Sequence, residues 1–124
     1  MIAHMDCNVV DFSKDSIVYN ITGCSREELE NKLNLFFGAE RFSKKSDSPT
    51  EKVFQRGNKV LRVFFGVFVK YFRIVVSIKT DGNLYSVRLH RDMNLALSGG
   101  LMGISASRRE FTRLTDAFKV FFSK

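Results

Sequence analysis

Two runs of alternating apolar and polar residues flank Thr80–Asn83, and this pattern constrains the fold more than any other part of the chain. Asp-Gly between such runs is the strongest short-range signal of a β-hairpin, because the central turn positions need φ > 0. Setting Thr80 opposite Asn83 predicts these cross-strand pairs: Ile78 with Tyr85, Val76 with Val87, Ile74 with Leu89 and Phe72 with Arg91. One face of the hairpin is then apolar and the other polar and basic, which is typical of an antiparallel sheet covered on one side.

Two capping boxes predict where helices begin. Ser25–Glu28 and Ser107–Glu110 both read Ser-x-x-Glu, in which the serine hydroxyl and the glutamate carboxylate satisfy free backbone amides reciprocally. Gly38 is placed to end the first helix in the left-handed conformation. Each box is followed by an apolar stripe at helical spacing: Leu29, Leu33, Phe36 and Phe37 in the first helix, and Phe111, Leu114, Phe118 and Phe121 in the second.

The remaining segments are assigned from alternation and polarity. Residues 15–22 alternate and are rich in β-branched residues, so they predict a strand. Residues 39–50 are polar and contain the single proline, which predicts a surface loop. Residues 51–56 and 59–65 predict a second hairpin, with Val53 opposite Leu61 as the preferred register. Residues 93–106 predict a loop.

These elements predict one α+β domain over residues 15–124, preceded by a mobile leader over residues 1–14. The predicted order is β-α-β-β-β-β-α, and packing both helices on one face of an antiparallel sheet is the natural two-layer arrangement. This element order resembles one lobe of TATA-binding protein and the helix-grip ligand-binding domains. The resemblance covers nearly the whole chain but matches no sequence motif of either family, so it implies no functional residue. The TATA-binding saddle has two such lobes, so this chain would rebuild it only as a homodimer.

The net charge of +7 and the pI of about 9.7 favour anionic partners: nucleic acid, an acidic protein or an anionic membrane surface. A basic surface that only keeps the protein soluble is the alternative. The longest apolar stretch, residues 60–78, is interrupted by Arg62, Lys70 and Arg73, so no transmembrane segment is expected. Two cysteines form no disulfide framework, and the N-terminus lacks a signal-peptide pattern, so we expect a cytoplasmic protein with reduced thiols.

The polar face of the predicted sheet is the first candidate site. Cations on a sheet can follow a phosphate backbone, and Tyr71 could stack on a base. The alternative is an ordinary solvated face in which Arg73 pairs with Asp92. The residues predicted to contact an anion or nucleic acid are Arg62, Arg73, Lys79, Arg88 and His90.

Two apolar loops, residues 64–68 and 95–104, are the second candidate site. Residues 98–103 contain three glycines around two large apolar residues, which allows the backbone to approach a ligand closely. The loops could receive a lipophilic ligand, a protein partner or a membrane surface; alternatively, they pack on each other and cap the core. The residues predicted to make this contact are Phe65, Val67, Phe68, Leu97, Leu101 and Met102.

The sequence gives little support for catalysis or metal binding. His4, Cys7, Cys24 and His90 are the histidines and cysteines of the chain, and they show no zinc-ligand spacing. No carboxylate pair is placed on one side of a cleft, and no cofactor motif is present. The sequence therefore predicts a small non-catalytic binding or interaction module that uses the two apolar loops, with nucleic-acid binding through the basic sheet face as the alternative.

Overall fold

The described part of the chain forms a six-stranded antiparallel sheet with two helices on one face, so the predicted α+β architecture is confirmed. The computed structural model describes residues 5–56, 72–93 and 100–123. In space the strands lie in the order β1-β2-β6-β5-β4-β3. In chain order the elements are β1 (Asp6–Phe12), β2 (Ser16–Thr22), α1 (Arg26–Ala39), β3 (Ser43–Asp47), β4 (Glu51–Arg56), β5 (Phe72–Asp81), β6 (Leu84–Met93) and α2 (Gly100–Phe122).

The β5–β6 hairpin is present, but its register differs by two residues from the predicted one. Asp81 pairs with Leu84, and Ile78 pairs with Val87 rather than with Tyr85. Gly82 has a φ of 60° and Asn83 stays outside the positive-φ region, so the turn matches type II′, which places glycine at the first central position. Because the shift is an even number of residues, every side chain keeps its predicted face.

Two strands form where none was predicted. Residues 6–12, assigned to the leader, form β1 and pair with β2; the bulge at Val10 interrupts the alternation that would have revealed the strand. Residues 43–47, assigned to a loop, form β3, whose sequence Ser-Lys-Lys-Ser-Asp has no apolar alternation at all. β3 occupies one edge of β4 and β5 occupies the other, so the predicted pairing of Val53 with Leu61 is wrong. The predicted 59–65 strand itself lies outside the described residues.

The N-terminus of α1 follows its capping box, whereas its C-terminus does not follow the glycine. Ser25 Oγ accepts a hydrogen bond from the Glu28 amide at 3.1 Å, and Glu28 Oε1 accepts one from the Ser25 amide at 2.9 Å. Gly38 remains helical, and Arg41 takes the left-handed position instead, with φ 67°. The Phe42 amide then donates to Phe37 O at 2.9 Å, which completes a Schellman motif.

α2 begins at Gly100, so the predicted start at Ser107 is wrong. Residues 100–106, predicted as loop, therefore belong to the helix. The glutamate of the supposed capping box, Glu110, is buried and forms an ion pair with Arg56 on β4. From the sequence alone, a Ser-x-x-Glu pattern inside a helix looks the same as a helix cap. Here the glutamate binds a residue of the sheet instead of a backbone amide.

Aromatic rings fill the space between the sheet and the helices. Tyr19 of β2 stacks on Phe118 of α2 with ring centroids 4.7 Å apart, and Phe37 of α1 stacks on Phe54 of β4 at 4.2 Å. The Tyr19 hydroxyl donates a 2.7 Å hydrogen bond to the Thr115 carbonyl, which satisfies this buried polar group. Contacts between aromatic rings therefore fill the described core. None of the described helices has the length and apolar character that crossing a membrane would require.

Candidate functional site

The outer face of the sheet, turned away from both helices, carries the described members of the predicted basic site. Arg73, Lys79, Arg88 and His90 alternate along β5 and β6 with residues of the core face. Across the hairpin, Arg88 lies opposite Ser77, Lys79 opposite Ser86 and Arg73 opposite Asp92. Arg62, the fifth predicted member, lies outside the described residues.

Arg73 is held by neighbours on this face. Its Nε and Nη2 donate to Gln55 Oε1 at 3.1 and 2.9 Å, and its Nη1 lies 3.6 Å from Asp92 Oδ2. The pairing expected for an ordinary solvated face is therefore present at this position. The Asp92 carboxylate offsets the charge of Arg73, which weakens its attraction for an external anion.

Lys79 and Arg88 differ from Arg73. Both side chains are exposed, and neither forms an ion pair or a side-chain hydrogen bond within residues 5–56, 72–93 and 100–123. They border a groove of about 500 Å³ on the outer face. The groove is lined by Asp11, Ser16, Val18, Ser77, Lys79, Ser86 and Arg88. The three serines were not predicted as site residues, although the hairpin alternation already placed two of them beside the cations.

Asp11 lines this groove, and His90 lies beside it. Asp11 contributes a carboxylate, whose Oδ1 accepts a 2.8 Å hydrogen bond from the Phe12 amide. His90 lies opposite Ser16 and Val75, and its Nδ1 is buried without a hydrogen-bond partner in the described part of the chain. Buried polar atoms usually have a hydrogen-bond partner, so the Nδ1 atom of His90 is an exception among the described residues.

The predicted apolar residues fall mostly outside the described ranges. Phe65, Val67, Phe68 and Leu97 are not described, and Leu101 and Met102 lie in the first turns of α2 rather than in a loop. The strands that flank the undescribed segments are informative, however. Arg56 ends β4 opposite Phe72, which begins β5, and Phe72 lies opposite Met93, which ends β6. The end of β4, the start of β5 and the end of β6 therefore lie side by side at one end of the sheet. We call it the apolar end, because the sequence segments next to these strand ends, 57–71 and 94–99, are rich in apolar residues.

The middle of α2 contacts the sheet near the same end. Glu110 contacts Arg56 there, whereas Thr115 contacts Tyr19 farther along the sheet. Segments 57–71 and 94–107 contain three cationic residues, Lys59, Arg62 and Lys70, and no Asp or Glu.

A buried ion cluster lies beneath the apolar end. The Arg56 side chain is fully buried; its Nη1 donates to Glu110 Oε2 at 2.6 Å, and its Nη2 donates to Glu40 Oε1 at 3.1 Å. Arg113 donates to both carboxylates, from Nε to Glu110 Oε1 at 2.9 Å and from Nη2 to Glu40 Oε1 at 2.5 Å. Arg56 also lies over the Phe42 ring, 4.4 Å from its centroid. The cluster ties β4, the end of α1 and the middle of α2 together.

Opposing effects set the pKa values in this cluster. Burial alone would raise the pKa of Glu110, but hydrogen bonds from Arg113 and Arg56 outweigh it and hold the pKa below its ordinary value. Burial lowers the pKa of Arg56, against the attraction of Glu110 and Glu40. An arginine guanidinium stays protonated in proteins, so we assign Arg56 as a cation. The cluster is therefore a set of paired charges with a structural role.

A second buried cation on β4, Lys52, has the same structural role. Its Nζ lies 2.5 Å from Glu30 Oε1 on α1 and also contacts Asp47 on β3. Burial opposes the charged form, but these two carboxylates outweigh it and raise the pKa of Lys52 above its ordinary value. A lysine held protonated in this way is not poised to act as a nucleophile or base.

Within the described ranges, no group of three or more His, Cys, Asp or Glu side chains is placed to hold a metal ion. Cys7 and Cys24 are both free thiols. Burial raises the pKa of the Cys7 thiol to about 11, which suppresses its thiolate form. A comparison with models of protein families finds no match to this chain, and a comparison with curated proteins finds none either.

Proposed function

We propose that the protein is a non-catalytic binding module that docks through its apolar end onto an anionic membrane surface. The observation that carries the proposal is that β4 ends, β5 begins and β6 ends side by side, at Arg56, Phe72 and Met93. The sequence segments that follow or precede these ends, 57–71 and 94–99, are rich in large apolar residues. Apolar residues grouped at one end of a small domain mark an interaction surface, and we propose that these segments form one.

The charge of these stretches favours a membrane over the other occupants predicted from the sequence. Lys59, Arg62 and Lys70 accompany the apolar residues, and no acidic residue occurs in either segment. Apolar side chains with interspersed cations suit the boundary between anionic headgroups and acyl chains. A lipophilic ligand between sheet and helices fits less well, because stacked rings such as Tyr19 on Phe118 fill that space in the described core.

The two free thiols support a location at the cytoplasmic surface of a membrane. Cys7 and Cys24 stay unpaired, as in reducing compartments. The cytoplasmic leaflet is also the one rich in anionic lipids. We therefore propose that the module works in the cytoplasm, at the inner surface of a membrane.

Vesicle sedimentation tests the proposal, with phosphatidylcholine vesicles prepared with and without phosphatidylserine. The wild-type chain should sediment with the phosphatidylserine vesicles. Phe68→Asp should lower the partition coefficient about tenfold or more, because transferring a Phe side chain out of water contributes ~1.5–3 kcal/mol. Val120→Asp is the matched control: Val120 is 58% exposed, and it lies near the other end of α2.

Two results would contradict membrane docking: a wild-type chain that ignores both vesicle types, or equal losses for the two aspartate variants. Thermal unfolding shows whether Phe68→Asp still folds. If that variant unfolds, Arg62→Glu replaces it, since reversing a charge does not create a core defect when the side chain is exposed. Arg62→Glu should then reduce binding to the phosphatidylserine vesicles selectively.

Nucleic-acid binding through the outer sheet face is a second candidate. The observation that favours it is the pair of exposed cations, Lys79 and Arg88, which have no partner among the described residues. Binding should weaken steeply as salt rises, because neutralised phosphates release counterions. Arg88→Glu should abolish binding of a single-stranded oligonucleotide while leaving vesicle binding intact. Affinity that is indifferent to salt would rule this candidate out.

A further inference from the structure

We infer that the groove around Arg88 is a binding site for a single phosphate group, with Lys79, Ser77 and Ser86 as its other ligands. The site lies on the same face of the sheet as the second candidate function and does not depend on nucleic-acid binding. It is more specific, however, since it requires one phosphate rather than a continuous backbone. The phosphate could belong to a small phosphorylated molecule or to a nucleic-acid strand.

The cross-strand pairs place the ligands around one point. Arg88 lies on β6 between Val18 of β2 and Ser77 of β5, its direct partners on either side. Ser86 and Lys79 form the adjacent pair of residues on the same face, and Ser16 lies on the opposite side of Arg88, next to His90. Arg88, Ser77, Ser86 and Lys79 therefore lie together, whereas Ser16 lies at the far side of the groove.

This set of groups matches the chemistry of a phosphate. A guanidinium offers parallel N–H donors that fit two phosphate oxygens, and an ammonium adds a second charge. The Ser77 and Ser86 hydroxyls can donate to the remaining oxygens. A long phosphate backbone is less well matched, because Asp92 already pairs with Arg73, which lies in the adjoining part of the face.

Asp11 provides a test with the opposite sign. Its carboxylate lines the groove and repels an anion bound there. Removing that charge in Asp11→Asn should tighten phosphate binding roughly twofold to fivefold, the range expected for an exposed charge. A purely structural role for this residue would not tighten binding.

The experiment is an NMR titration of the full chain with inorganic phosphate and, separately, with a short oligodeoxythymidine. Phosphate should shift the amide resonances of residues 77, 79, 86 and 88. Arg88→Gln should weaken phosphate binding about tenfold, or about 1.4 kcal/mol. Arg108→Gln is the matched control, because it removes the same charge from an exposed position on α2. Thermal unfolding verifies that each variant folds.

Each outcome supports or overturns the single-phosphate site. Phosphate binding that Arg88→Gln weakens and Arg108→Gln preserves supports the site, and added oligonucleotide binding shows that a strand can supply the phosphate. Phosphate binding without oligonucleotide binding supports the site and removes the nucleic-acid candidate. Oligonucleotide binding without phosphate binding overturns the single-phosphate site and leaves that candidate standing. Resonances that do not move with either probe overturn both.

Discussion

Replacing Glu110 by glutamine tests how strongly the buried ion cluster holds the two layers together. Glu110 is 7% exposed and accepts hydrogen bonds from Arg56 and Arg113. Removing one partner of a buried pair destabilises a protein by ~3–5 kcal/mol, because a charge is left buried without compensation. Arg56 keeps its contacts with Glu40, so we expect the low end of this range, about 3 kcal/mol.

Urea unfolding at neutral pH measures this loss, and Arg113→Gln is its control. The Arg113 side chain is 46% exposed, so removing its charge should cost under about 1 kcal/mol. Both variants should unfold with the wild-type dependence on urea concentration, since neither changes the surface exposed on unfolding.

The same prediction also fixes how the free energy of unfolding changes with pH. The folded-state pKa of Glu110 lies below the ordinary value of 4.5. Its contribution to stability is therefore complete above that value and is lost as the pH falls through the folded-state pKa. Because glutamine does not titrate, the stability difference between wild type and Glu110→Gln should shrink in acid. A loss below about 1 kcal/mol, or a difference that is the same in acid and at neutral pH, would refute the reasoning.

Three further predictions concern single residues. Arg41→Gly should stabilise the protein by ~0.5–1 kcal/mol in urea unfolding, because Arg41 has φ 67° and glycine adopts this conformation without strain; a loss of stability would contradict the assigned helix end. Tyr19→Phe should cost about 1 kcal/mol by the same assay, because it removes the hydrogen bond to Thr115 O; an unchanged midpoint would argue against that bond. In thiol labelling of the native protein at mildly basic pH, Cys24 should react first, since Cys7 is buried with a pKa of about 11; a fast phase that persists in Cys24→Ser would count against the buried placement of Cys7.

Local chemistry made part of the fold predictable. The Asp-Gly hairpin and the Ser25 capping box were found because their signals lie within a few residues of the structures they specify. The hairpin register was not fixed by this signal, since both a turn centred on residues 81–82 and one centred on residues 82–83 place the same side chains on the core face. The observed pairing of Asp81 with Leu84 distinguishes the two.

Tertiary partners explain what the sequence did not reveal. Ser107–Glu110 resembles a cap, but Glu110 is bound by an arginine 54 positions earlier in the chain. β3 has the composition of a loop and is a strand because β4 offers an unpaired edge. At the candidate site, the cations were predictable from alternation, and the pairing of Arg73 with Asp92 was one of the predicted alternatives. The hydrogen bonds from Arg73 to Gln55 were not predicted, because they depend on β4 lying beside β5.

The buried cations of β4 also determine which way this strand faces. Lys52, Phe54 and Arg56 point toward the helices, while Val53 and Gln55 lie on the outer face. Hydrophobicity alone would not choose this orientation, since each face offers one apolar residue between polar ones. A slip by one residue would withdraw both cations and leave the carboxylates of Glu30 and Glu110 without their partners from β4. In this strand, charge pairing supplies the specificity of alignment that apolar patterning supplies in its neighbours.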